Sequence, residues 1–278
     1  RKPLLTYASW LQGQSGFISA VRILVGQGLK MVSLQSQAES ELKQDIRDLG
    51  IEAFHLVLVT ENSDAGVQAL VQSYGIGPLK ANTLILNWMD SRKNELFSFR
   101  EKTYGRHLLT AFRLGCNIIA LDPKHLSREW VLEIPEEKRR IDVWWSKDKT
   151  GQLTVLLAYL MTRSDIWEKA RIRVNVIKAD HQPKDVKQHI ENLLEEARIE
   201  ADITLYSDFC SNPFSDSADA SLVFLPFYFE GETLVSPFHE SIDELIKPLP
   251  PVALVLARED INLIAEPDAA EDAVTNAV

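Results

Sequence analysis

Gly13, Gln14, Ser15 and Gly16 form the segment best suited to cradling a phosphate, because glycines let backbone amides turn toward an anion. The segment follows an apolar run and opens a helical pattern. It lacks the third glycine of a dinucleotide fingerprint, however, and no Gly-Lys-Ser or Gly-Lys-Thr follows it. Gly26-Gln27-Gly28 reads as the end of a helix, where glycine is a C-cap, and Gly75-Ile76-Gly77-Pro78 reads the same way. The six histidines, His55, His107, His125, His181, His189 and His239, include no pair at i,i+3 or i,i+4, and neither Cys116 nor Cys210 has a second ligand at metal spacing. His55 falls within a strand pattern as a core or sheet-face residue. His181 and His189 flank the start and middle of a helix as solvated groups, with Asp180 or Asp185 capping or charging its N-terminus. No Gly-x-Ser-x-Gly elbow occurs. Cys116 opens a buried strand as a small hydrophobe, and Cys210, in the polar stretch Ser207–Ala220, has no adjacent base to lower its pKa. The acidic pairs Glu136-Glu137 and Glu195-Glu196 read as solvated faces or linker. No nucleophile stands with a base, so no catalytic residue, cofactor site or metal ligand is assigned, and the chain reads as a non-enzyme.

Whatever these side chains do, an alternation of short apolar runs and amphipathic helices must position them, which is the signature of βαβ units on a largely parallel sheet. Strands are expected at Leu4–Ala8, Met31–Leu34, Phe54–Val59, Thr83–Leu86 and Asn117–Leu121. Between them, Ala38, Leu42, Ile46 and Leu49 share one helix face before Gly50, and Val67, Leu70, Val71 and Tyr74 share another before Gly75. A longer helix spans about Asn94 to Leu114. Residues Pro123–Arg140 break the rhythm as a crossover. It resumes with strand Ile141–Trp145, a helix over Leu153–Ala170, strand Ile172–Ile177 and a helix whose face carries Val186, Ile190, Leu193, Leu194 and Ala197. Strands Ile203–Leu205, Leu222–Leu225 and Val252–Leu256 follow, with a short helix near Ile242–Ile246 and prolines 248, 250 and 251 as a stop before the last strand. The strands are continuously apolar, as when helices cover both faces. The expected architecture is α/β, two serial halves at 1–122 and 141–265, a linker at 123–140 and a loose acidic tail at 266–278.

Two features stand out from this pattern. Trp144 and Trp145 are adjacent in a strand and so point to opposite faces of the sheet. The apolar run Leu222–Phe229, followed by Glu230-Gly231, fits either core packing or a subunit contact.

The chain has 278 residues, 45% of them apolar and 25% charged, the profile of a globular protein. Forty acidic residues against thirty basic ones leave a formal net charge of −10, a poor basis for nucleic-acid binding through phosphate neutralisation. Two cysteines suggest a reducing compartment. The longest apolar windows, Leu153–Met161 and Leu222–Phe229, fall well short of the roughly 20 residues of a membrane span, so no direct membrane insertion is expected. The abrupt start at Arg1 suggests a chain trimmed or excised from something longer.

The blocks Ile141-Asp142-Val143-Trp144-Trp145, Gly151–Leu160, Trp167 and Arg171–Val174 resemble the cytosolic C-terminal domain of cation-chloride cotransporters. Gly75–Leu86, with its Lys80-Ala81-Asn82-Thr83 core, and Leu249-Pro250-Pro251-Val252-Ala253-Leu254-Val255 are similar to two further blocks of that family, in the same order. Membership would imply a domain of two universal-stress-protein-like α/β halves that dimerises and regulates or assembles the transporter. It would lie on the cytoplasmic face of the cell membrane, attached to its own transmembrane domain, which moves sodium or potassium with chloride. The short interval between Ser207 and Leu222, where animal members carry long phosphorylated insertions, and Ala81 in place of the usual proline fit a prokaryotic member. The alternative is a free-standing universal-stress-type protein that binds ATP. That family's late-strand Gly-x-x-Gly loop is found after neither Leu121 nor Leu256.

Overall fold

The computed structural model describes residues 1–13, 16–73, 75–76, 79–89, 97–178, 186–207, 213–238, 241–258 and 263. The elements run α1 (Lys2–Gln12), β1 (Ser19–Val25), α2 (Lys30–Leu49), β2 (Phe54–Thr60), α3 (Ser63–Ser73), β3 (Gly75–Ile76), β4 (Leu79–Lys80), β5 (Thr83–Asn87), α4 (Phe97–Arg113) and β6 (Asn117–Asp122). Then follow α5 (Arg128–Glu133), β7 (Arg140–Trp144), α6 (Lys149–Thr162), β8 (Arg171–Lys178), α7 (Val186–Glu196) and β9 (Asp202–Ser207). The chain continues with β10 (Leu222–Pro226), β11 (Tyr228–Glu230), β12 (Thr233–Val235), α8 (Ile242–Ile246) and β13 (Val252–Leu256). The fold is α/β with a mostly parallel sheet, as expected. Seven strands lie in the order β5-β6-β13-β10-β7-β8-β9, and β13 pairs antiparallel only with β6. The sheet therefore draws β5 and β6 from before residue 123 and its other strands from Arg140 onward. β1 and β2 pair in parallel as a separate two-stranded sheet.

Continuously apolar strands predict burial on both faces, and β7, β10 and β13 have it. One face carries Ile141, Val143 and Trp145 beneath α1, α6 and α7, with Tyr7, Trp10, Leu153, Ile190 and Leu194 in the same core. The other carries Trp144, Val223 and Leu225 beneath α4 and α8, with Leu108, Ala111, Ile242 and Leu245. The adjacent tryptophans thus serve opposite cores, as strand alternation requires. A third, smaller core joins Leu5 of α1 and Ala20 of β1 to Ala38, Leu42 and Ile46 of α2.

Three expectations are corrected. Leu4–Ala8 lies inside helix α1, which begins with Pro3 in its first turn, where the missing proline N–H is no loss. Met31–Leu34 opens helix α2, with Val32 and Leu34 exposed. The first strand is instead Ser19–Val25, whose half-buried residues and central Arg22 weaken the apolar signal. A short apolar run is equally compatible with strand and helix, which is why period alone misassigned these segments. The helix expected over Leu153–Ala170 runs from Lys149 to Thr162: Asp148 caps its start by accepting from Thr150 N at 3.0 Å, and Ile166 and Trp167 are buried beyond its end. α2 stops where expected, at Gly50, whose left-handed φ of 61° lets its N–H reach the last carbonyls. The run Leu222–Phe229 is mostly core: Leu222–Pro226 is a central strand buried along its length between β7 and β13, whereas Tyr228 is exposed.

Candidate functional site

The most concentrated chemistry lies on the α4–α8 face of the sheet, where β7 and β8 run side by side. Alternation puts Arg140, Asp142 and Trp144 on one face of β7, and the parallel register sets Asp142 opposite Arg173. Asp142 is fully buried. Its Oδ1 accepts from Arg140 Nε at 2.9 Å and from Arg173 Nε at 3.1 Å, and its Oδ2 accepts from Arg173 at 2.5 Å. Both guanidinium groups also donate to Asp216 O, and Arg140 pairs with Asp219 at 2.5 Å. Burial works against the charge on Arg140, but Asp219 and Asp142 outweigh it and raise its pKa. The same Arg140 contact holds the Asp219 carboxyl below its ordinary value. Tyr206 donates to Asp216 Oδ2 at 3.2 Å, and burial is the main cause that pushes its hydroxyl up to about 12.

Trp144 completes the arrangement. Its indole N–H donates to Ser217 Oγ at 3.2 Å, and its ring lies 4.2 Å from that of Phe214 and 5.2 Å from that of Tyr206. Together these contacts fasten the short helix Pro213–Ser217 onto the sheet. Both arginines are committed to carboxylate and carbonyl acceptors, so the cluster holds structure and offers no nucleophile. Sequence reading missed it, although Arg-Ile-Asp at 140–142 and Arg-Ile-Arg at 171–173 carried the signal: like-faced charges in strands otherwise apolar.

Beside this cluster, at the amino ends of β7, β8, β10 and β13, opens a cleft of about 910 Å³ lined by His125, Trp130, Lys138, Arg139, Arg140, Arg171, Asp219 and Pro248–Pro250. Arg139 is buried and donates to Ile134 O at 3.1 Å and Ile166 O at 2.7 Å. The His125 and Trp130 rings meet edge to face at 4.3 Å. In doubly wound sheets ligands sit at the opposite, carboxyl ends of the strands. There this protein places its own groups: Lys149 Nζ donates to Arg258 O at 2.6 Å, Ala257 N to Thr150 Oγ1 at 3.2 Å and Arg258 N to Asn117 Oδ1 at 2.8 Å.

The residues considered for chemistry are scattered. Gly13, with a φ of 58°, ends α1 rather than following a strand, and Gln14 and Ser15 lie outside the described residues. Gly26 and Gly28 link β1 to α2 and are not a helix C-cap; Met31 Sδ fills the space a Gly26 side chain would need. Gly75 is likewise no cap, since it pairs with Lys80 in the β3–β4 hairpin, while Gly77 and Pro78 lie outside the described residues. His55 is exposed on β2 and His189 exposed on α7. His107 Nε2 lies 2.8 Å from Asp64 Oδ1, tying α4 to α3. Cys116 is buried with its thiol 3.5 Å from Ala81 O. Asp180, His181, Asp185, Cys210 and His239 lie outside the described residues. Among the described residues no three His, Cys, Asp or Glu side chains gather as a metal site.

The architecture defines the class first. A universal stress protein from Archaeoglobus fulgidus DSM 4304 superposes with a TM-score of 0.58 at 11% identity over 93% of each chain. A putative universal stress protein from Pseudomonas aeruginosa UCBPP-PA14 does so with a TM-score of 0.50 at 12% identity, over 90% of this chain and 86% of that one. The cytoplasmic domain of a prokaryotic cation chloride cotransporter superposes with a TM-score of 0.62 at 14% identity, over 95% of this chain and 94% of that one. At such identities the likeness is one of fold. Sequence narrows it: residues 121–230 match the family model of solute carrier family 12. That segment contains Ile141–Trp145, Gly151–Leu160, Trp167 and Arg171–Val174, and there the resemblance to cation-chloride cotransporters is borne out; the other two blocks on which it rests, Gly75–Leu86 and Leu249–Val255, lie outside the matched segment.

Proposed function

We propose that this chain is the non-catalytic cytosolic domain of a secondary active transporter of the cation-chloride cotransporter type, joined to a transmembrane domain that moves sodium or potassium with chloride. The observation that carries the reading is the coincidence of the family match over 121–230 with a fold likeness to a cotransporter cytoplasmic domain across nearly the whole chain. Two further features accord with it. No helix among the described residues is long and apolar enough to cross a membrane. The densest polar cluster is spent on holding the 213–219 segment to the sheet, as suits a part that transmits or assembles. The test is chloride-dependent uptake of rubidium by the natural protein in vesicles, with and without residues 1–278. Uptake that changes in rate or regulation on removal supports the reading; an absence of any chloride-dependent cation uptake by the natural protein overturns it.

The domain acts as a homodimer in this reading. Sedimentation velocity at tens of micromolar is expected to give a species of twice 31.4 kDa. A strict monomer in the intact transporter would remove the assembly role. The alternative, a nucleotide-binding stress protein, draws on the likeness to universal stress proteins. Lys149 and Thr150 already bridge to Arg258 and Ala257 where such a ligand would sit. Calorimetric titration with Mg-ATP is therefore expected to give no saturable heat.

A further inference from the structure

The amino ends of β7 and β8 carry an arrangement of charge that folding alone does not favour. Lys138 and Arg139 lead into Arg140, the first residue of β7, and the parallel register sets Arg140 directly opposite Arg171, the first residue of β8. Arg171 N also bonds to Arg139 O at 3.0 Å, which fixes the two strand entries side by side. Like charges placed opposite each other in a sheet are destabilising. Asp142 and Asp219 answer the charge of Arg140, but among the described residues the Arg171 side chain makes no hydrogen bond or ion pair. The same holds for Lys138, and both side chains are exposed. Arg139 is buried, yet its two bonds go to the carbonyls of Ile134 and Ile166 and not to a carboxylate. Burying a cation in that way costs stability.

All four cations line the cleft of about 910 Å³, a size that suits a small molecule. Two carboxylates line it as well, Glu137 and Asp219, and Asp219 is already held by Arg140. The cleft thus carries an excess of positive charge in a chain whose net charge is −10. Its walls are pre-formed. On one side Ser127 caps α5 by accepting from Trp130 N at 3.1 Å, and the Trp130 ring meets His125 and packs partly on the main core. On the other side Lys124 Nζ donates to Ile246 O at 2.8 Å and to Leu249 O, pinning the Pro248–Pro250 segment. Trp130, Ile134 and Pro248 give the space an apolar lining beside the charged one.

We propose that this cleft binds a small organic dianion, two negative charges on an apolar body, with Arg171 and Lys138 contacting the charged groups and Trp130 the body. The two cations not engaged elsewhere set the charge of the ligand, and Glu137 and Asp219 repel a polyphosphate, which would bring more. Guanidinium groups match carboxylate and phosphate alike, so a dicarboxylate and a phosphate monoester share the recognition. This site goes beyond the transport reading and does not depend on it.

The test is calorimetric titration of the protein with isophthalate and with phenyl phosphate, beside the uncharged isophthalamide. At least one of the two anions is expected to bind saturably, and the tighter of them identifies the head group; isophthalamide is expected to give no saturable heat. Arg171→Gln should weaken the binding roughly tenfold or more, the loss of a hydrogen bond to a charged group, and Lys138→Gln should weaken it too. Without ligand, Arg171→Gln should leave the melting temperature unchanged or raise it, because it relieves the repulsion at Arg140. Lost binding is then distinct from lost fold. No saturable heat from either anion at millimolar concentration overturns the proposal, as does equal binding of isophthalamide or binding unmoved by Arg171→Gln. A melting temperature that falls in Arg171→Gln overturns it as well, because Arg171 would then serve the fold.

Discussion

Asp142 is the single residue on which most of the polar architecture converges. One carboxylate at zero exposure accepts from two guanidinium groups, and those reach on to Asp216 and Asp219. Removing one partner of such a group leaves buried charge without compensation, which is far costlier than the net worth of the pair. Asp142→Asn is therefore expected to destabilise the fold by about 3–5 kcal/mol, read as a fall in the denaturation midpoint. Asp219→Asn should cost no more than about 1 kcal/mol, because that carboxylate is 79% exposed and well screened. Equal effects of the two substitutions would refute this hierarchy.

Close packing between elements makes its own prediction at two glycines. A Cβ on Gly105 of α4 would stand 1.8 Å from Glu232 O in the β11–β12 turn, and one on Gly151 of α6 would stand 2.0 Å from Ser146 O. Backbone cannot yield as a flexible side chain does, so an alanine at either position forces a whole element to move, at roughly 1–3 kcal/mol. The consequences differ. Gly105→Ala should lift the hairpin from α4 and expose it to protease, leaving the seven-stranded sheet intact. Gly151→Ala should displace the start of α6, which packs on β7, β10 and β13, and lower the melting temperature of the entire core. Limited proteolysis beside a thermal melt separates the two.

At the scale of the whole molecule, several surface carboxylates are held in ion pairs. Arg140 lowers the pKa of Asp219, Lys169 that of Glu136, Lys2 that of Asp48 and Arg22 that of Glu41. A carboxyl with its folded pKa below its unfolded one contributes stability above the unfolded value and loses it as the pH falls through the folded value. The melting temperature should thus decline as the pH drops below the ordinary carboxylate range, and added salt should flatten the decline. A melting temperature constant down to about pH 3 would contradict this.

Much of the fold was legible because burial on two faces demands apolar strands, and β6, β10 and β13 announce themselves that way, while β2, β5, β7, β8 and β9 carry shorter apolar runs. The helix faces of α2 and α7 were legible from steps of three and four, and Gly50 from the left-handed turn only glycine makes cheaply. The family blocks, too, are matters of residue order. Tertiary structure alone decided the rest. Leu4–Ala8 and Met31–Leu34 became helices because a short apolar run fits either period, and their surroundings settle which backbone is satisfied. Strand order, the antiparallel entry of β6 beside β13 and the separation of β1 and β2 from the main sheet depend on contacts between residues remote in sequence. So does the cluster at Asp142, whose partners Arg173, Asp216 and Asp219 lie 31 or more residues further along the chain. Local chemistry writes the elements into the sequence; which elements meet is fixed only when the chain closes on itself.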